Sequence, residues 1–90
     1  MKTLTQLRKE IDKTDKEIIK QIRKRNKIVL EIGKIKKIKK LNIEDKNREK
    51  QQKQKIEELA KKNEINPEFL KKMFKLIITN SKEQQQKIKN

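Results

Sequence analysis

Apolar residues recur at helical spacing in three stretches of this chain, and the first stretch is much the longest. Steps of four and three residues from Leu4 pass through Arg8, Ile11, Asp15, Ile18, Ile22, Arg25, Val29, Ile32 and Lys36. That seam is one side of a single helix predicted over residues 4–40. Thr3 and Gln6 have the spacing of a capping box at its start. Lys36, Lys37, Lys39 and Lys40 bring cations to its end, where the helix dipole is negative. Residues 41–44 break the pattern, and Asp45 is placed to cap a second helix over about 45–62, with Glu49, Gln52, Ile56 and Leu59 on one face. Asn66 as cap and Pro67 at the first helical position open a third helix over about 66–87. Its inner face runs Leu70, Met73, Phe74, Ile77, Ser81, Gln85 and Ile88. The pattern predicts an all-α chain, one very long helix and two shorter ones, forming a single domain over 1–90.

The length of the first helix bears on assembly. At 1.5 Å per residue it would extend roughly 55 Å, too far for two shorter companions to cover. Only 30% of the chain is hydrophobic and 46% is charged, so a lone protomer has a thin core. Both observations predict a helical-bundle homodimer in which a second copy covers the bare seam.

Each helix carries polar residues on the face meant for burial. The chain holds 24 lysines but four arginines, Arg8, Arg23, Arg25 and Arg48. A retained arginine in such a background marks a place where a planar fork of donors is needed to grip a carboxylate or phosphate. Arg8 and Arg25 lie on the seam, where ion pairs with acids such as Asp15 are an equally good explanation. Gly33, the single glycine, sits inside the first helix at a cost of about 1 kcal/mol relative to alanine. It marks either a close approach by a neighbouring backbone or a ligand, or an incidental residue near the helix end. Ser81 and Gln85 alone read better as ordinary polarity where the third helix frays, but Arg25 and Lys36, Arg48 and Glu49, and Ser81 and Gln85 together suit a compact dianion bearing a hydroxyl. Arg8 stands seventeen residues before Arg25, about 25 Å along the axis, so it can join such a site only from an antiparallel partner.

Charge and composition narrow the remaining classes. A formal charge of +15 invites nucleic acid, yet the chain has two Phe, no Tyr and no Trp to stack on bases. A lysine-rich bias at solvent positions explains the charge without such a ligand. There is no cysteine and no histidine, hence no disulfide, thiolate or imidazole chemistry, and neither metal nor cofactor is called for. No apolar run approaches the ~20 residues of a membrane span, and no signal-peptide core opens the chain, so a cytoplasmic location is expected.

The segments Leu7-Arg8-Lys9-Glu10-Ile11-Asp12, Ile32-Gly33-Lys34-Ile35-Lys36, Asp45 through Arg48-Glu49, and Phe74-Lys75-Leu76-Ile77-Ile78 followed by Ser81 and Gln85 resemble, in order and spacing, the all-helical class of chorismate mutases. The resemblance covers essentially the whole chain. It implies an intertwined homodimer that converts chorismate to prephenate by a Claisen rearrangement, an isomerase step of the shikimate pathway toward phenylalanine and tyrosine. It further implies that Arg25 of one chain and Arg8 of the other clamp the substrate carboxylates. Lys36 and Gln85 would donate to the ether oxygen, and Glu49 would accept from the ring hydroxyl with the backbone near Asp45 assisting. Arg48 and Ser81 would complete the polar wall. A lyase on the same fold that removes pyruvate from isochorismate is the nearest alternative. A basic helical protein that coats nucleic acid, with no use for Glu49, Ser81 or Gln85, and a purely structural helical dimer are more distant ones.

Overall fold

Thr3 caps α1 (Leu4–Ile38) by accepting from the Gln6 backbone N–H, while the Gln6 side chain accepts from the Thr3 N–H. Both bonds of the predicted capping box are therefore made. The computed structural model describes residues 1–89, and among these it holds two more helices, α2 (Lys46–Lys62) and α3 (Pro67–Lys89), and no strand.

α1 ends two residues before the predicted limit, and the cause is local. Lys40 takes a left-handed conformation with φ of 54°, so the Leu41 N–H reaches back to the Lys36 carbonyl (2.8 Å) and the Lys40 N–H to that of Lys37 (3.3 Å). This is a Schellman closure, here without the glycine that usually permits it. α2 closes in the same way, with Glu64 at φ 56° and the Ile65 N–H on the Ala60 carbonyl at 2.8 Å. Each left-handed side-chain residue costs about 1–2 kcal/mol. At the opposite ends, Asp45 accepts from the Arg48 N–H at 3.0 Å, and Asn66 accepts from the Glu68 N–H at 2.9 Å. α3 runs two residues beyond its predicted end, to Lys89.

α3 lies between the others, packing on α1 along one side and on α2 along the other, while α1 and α2 do not meet. Its inner face is the predicted one: Leu70, Met73, Phe74, Ile77 and Ile88 are half-buried and Ser81 and Gln85 buried. On α2 the buried positions are Ile56 and Ala60, whereas Leu59, placed on that face by the sequence, points away and is 48% exposed. From Ile56 the contact line advances four residues rather than three. Alanine at 60 leaves room for α3 to come close. Lys71 ties the same pair of helices by bonding Glu57 (2.7 Å) and Glu68 (3.4 Å). That contact holds the Glu57 carboxyl below and the Lys71 ammonium above their ordinary values.

On α1 the buried face starts only at Arg25 and Asn26 and continues through Val29, Gly33 and Lys36. Ile32, on the predicted seam, is left 41% exposed. Everything on α1 before Arg25 is exposed within one protomer, Leu4, Leu7, Ile11, Ile18 and Ile22 included. The protomer measures 57 × 24 × 15 Å. It exposes 8194 Å², where a compact chain of 10.9 kDa would expose about 5,600 Å². Among the described residues no helix is long and apolar enough to cross a membrane.

Candidate active site

Because α1 and α2 both rest on α3 without meeting, a gap stays open between them. It forms a cleft of about 320 Å³, based on Ile78, Ser81 and Gln85 of α3 and walled by Arg25 and Lys36 of α1 and by Asp45, Arg48 and Glu49 at the start of α2. Seven of the eight residues singled out from the sequence therefore converge here. Arg8 does not, since it lies on the exposed first half of α1, remote from the cleft.

The hydrogen bonds in the cleft assign a state to each polar group. Arg25 donates to the Ser81 hydroxyl, which itself donates to the Ile77 carbonyl at 2.9 Å. The one Ser81 hydrogen is thus committed to a backbone carbonyl, and the hydroxyl serves to hold the guanidinium in place; no general base receives that hydrogen, as an activated nucleophile would need. Burial moves the Arg25 pKa down from its ordinary value, though an arginine so placed keeps its charge. Lys36 donates to the Ile43 carbonyl (2.6 Å) and to Gln85 Oε1 (3.1 Å). Its third N–H remains available. With its carbonyl oxygen taken by Lys36, the buried Gln85 amide turns its NH₂ group elsewhere, as a donor.

Gly33 explains how Gln85 comes so near. A methyl group at position 33 would stand 3.1 Å from Ile88 Cδ1 and 3.3 Å from Gln85 Cγ. The close approach expected of this glycine is therefore an approach of α3. Asp45, which also lines the cleft, uses a carboxylate oxygen as the α2 cap.

Two participants were not legible beforehand. Lys82 lines the cleft and pairs with Glu49 and, at 3.4 Å, with Glu44. Glu49, foremost among its neighbours, raises the Lys82 pKa above the ordinary lysine value. The carbonyl of Ile43 anchors Lys36 and so ties the α1–α2 connection to the site. Lys82 follows Ser81 directly and stands one turn before Gln85, a signal hidden among 24 lysines. A larger hollow of about 470 Å³ lies between α2 and α3 over Ile56, Phe74 and Ile78; of its lysines, Lys71 is taken by Glu57 and Glu68 and Lys82 by Glu49 and Glu44. The smaller cleft holds the convergent donors.

The comparisons agree on one family. A family model described as chorismate mutase type II matches residues 7–86. The chain is similar to a bifunctional chorismate mutase/prephenate dehydratase of Buchnera aphidicola subsp. Schizaphis graminum, at 38% identity over 87 residues. The match takes in 97% of this chain and 23% of that relative, so the chain spans about a quarter of the relative's length.

Proposed function

The chain belongs to the chorismate mutase type II family, and on that footing we propose that it converts chorismate to prephenate, as a cytoplasmic homodimer, in a cleft that a second copy completes. The observation that carries this reading is the meeting of Arg25, Lys36, Glu49 and Gln85, from three helices, around one cleft whose serine hydroxyl donates to a backbone carbonyl rather than to a base. The rearrangement suits such a set. It is unimolecular, with one carbon–oxygen bond breaking as one carbon–carbon bond forms, and it needs neither nucleophile nor proton transfer. What accelerates it is restraint of the reactive conformer and donors aimed at the charge that grows on the ether oxygen. Arg25, steadied by Ser81, binds one carboxylate. The third N–H of Lys36 and the NH₂ group of Gln85 donate to the ether oxygen, and Glu49 accepts from the ring hydroxyl. Arg48 and the backbone at Asp45 close the wall.

A second carboxylate needs a second fork, and Arg8 of the partner subunit supplies it in this reading. The excess exposed area supports the dimer. About 2,600 Å² above the value for a compact chain is what a protomer would bury in a large obligate interface. Leu4, Leu7, Ile11, Ile18, Ile19 and Ile22, all exposed, lie on the same stretch of α1 as Arg8.

The test is to add chorismate to the purified protein, follow the loss of its diene absorbance and identify the product. Prephenate formed by the wild type and lost in Arg25→Ala supports the reading. Pyruvate released from isochorismate, with chorismate untouched, would replace it with the lyase.

Two quantitative expectations accompany it. The value of kcat/KM stays level from about pH 6 to about pH 9. The chain has no histidine, and the two displaced cations of the cleft, Arg25 moved down by burial and Lys82 moved up by Glu49, both keep their charge across that range. The raised Lys82 value means that its ion pair is intact below the ordinary lysine pKa near 10.4 and is lost only as the solution passes the higher, folded one. A bell-shaped profile centred near neutrality would give the chemistry to another group.

The other concerns Gly33→Ala. Gains in helix propensity of about 1 kcal/mol offset the crowding, so the thermal midpoint moves little. Gln85 must nevertheless shift by a few tenths of an ångström, and kcat falls up to about tenfold. Unchanged kcat would show that the α1–α3 spacing does not govern the chemistry.

A further inference from the structure

Lys82 has a place in the cleft that the rearrangement as described leaves unused. It stands on α3 between Ser81 and Gln85 and faces α2 and the α1–α2 connection at once. Its ammonium touches Glu49 Oε1 and lies 3.4 Å from Glu44 Oε1. That Glu49 oxygen is buried and receives no directional hydrogen bond, so the Lys82 charge is what compensates it. A buried carboxylate oxygen left without such a charge would turn outward to water or toward the nearest other cation.

We propose that Lys82 is a positioning residue for Glu49: by holding one carboxylate oxygen against α3 it leaves the other to accept the substrate hydroxyl. This inference rests on the mutase reading of the site. Two features favour it over direct binding of a substrate carboxylate. Lys82 is already shared between two acids of its own chain, whereas the third N–H of Lys36 is uncommitted. Its contacts also span both ends of the segment that carries Asp45, a residue of the cleft wall. The connection is thereby gripped from two helices, by Lys36 at Ile43 and by Lys82 at Glu44.

The experiment compares wild type, Lys82→Gln, Lys82→Arg, Glu49→Gln and the Lys82→Gln/Glu49→Gln double variant, with chorismate and with its analogue lacking the ring hydroxyl. Lys82→Gln is expected to lower kcat/KM for chorismate about tenfold, while the analogue changes less than about twofold. Lys82→Arg, which keeps a cation there, restores most of the loss. In the Glu49→Gln background Lys82→Gln adds little, because the two residues act through one contact. Equal losses on both substrates, additive with Glu49→Gln, would overturn the proposal and make Lys82 a direct ligand of the substrate; no loss at all would also overturn it. Absence of turnover by the wild type is a failure of the mutase reading instead. The pairing is then judged from the thermal midpoints of the same four proteins of the cycle, where midpoint shifts that simply add would reject the Lys82–Glu49 contact.

Discussion

Arg8→Ala and Arg25→Ala chains, each nearly inactive alone, are expected to recover about a quarter of wild-type activity when unfolded together and refolded at equal amounts. The figure follows from the geometry of a two-fold dimer whose sites each take Arg25 from one chain and Arg8 from the other. Random pairing makes half of the dimers mixed. In a mixed dimer both lesions fall in one site, and the other site has both arginines. The structural basis is the position of Arg8, on the exposed first half of α1 and outside the cleft that holds Arg25. Activity that stays near zero in the mixture would remove Arg8 from the partner's site, and Arg8→Ala protein with full activity would remove it from any site. Each guanidinium lost from a charged, bidentate contact weakens the transition state by several kcal/mol, so the single variants give a clean background.

Lys36→Ala and Gln85→Ala should each lower kcat by about 100- to 1,000-fold while changing KM far less, the pattern of donors whose bond strengthens only as charge develops. The two losses will not add. Lys36 holds the Gln85 carbonyl oxygen and, through Ile43, the connection that borders the cleft. Its removal therefore also lets the amide turn and the connection drift, and the double variant should be little worse than Lys36→Ala alone. Gln85→Glu sharpens the assignment. A carboxylate at 85 would accept rather than donate and would pair with Lys36, so this variant should be slow at neutral pH and quicken in acid, where it is protonated. Turnover by Gln85→Glu that does not change with pH would count against contact between position 85 and the ether oxygen. Small, equal effects on kcat in all three variants would withdraw both donors from the reaction.

Much of this was legible because the chain marks its helices clearly. The Thr3–Gln6 box, the Asp45 cap and the Asn66-Pro67 start all act through bonds within four residues, and all form as expected. The errors lie where the deciding interaction is distant or the local signal is missing. Lys40 and Glu64 enter the left-handed region without a glycine to announce it, so α1 ends two residues before the limit its pattern predicts. Leu59 looked like the next inward residue of α2, but α3 selected the small Ala60. The seam of α1 reads as one continuous face, yet a single protomer buries only the part from Arg25 onward. Arg25, Lys36, Ser81 and Gln85 could be named because they interrupt apolar faces, and Asp45, Arg48 and Glu49 through the family resemblance. Lys82 could not, since it lies beside the apolar stripe of α3 and, off such a face, one lysine among 24 carries no contrast.

Among the described residues the buried apolar side chains of one protomer are Val29, Ile56 and Ala60, a feature with a thermodynamic corollary for the proposed homodimer. A chain that lacks enough interior of its own folds largely by docking, and its stability then becomes a matter of mass action. The midpoint of thermal unfolding should climb with protein concentration, and refolding should include a second-order phase. The more serious threat to such a molecule is dilution rather than moderate heat.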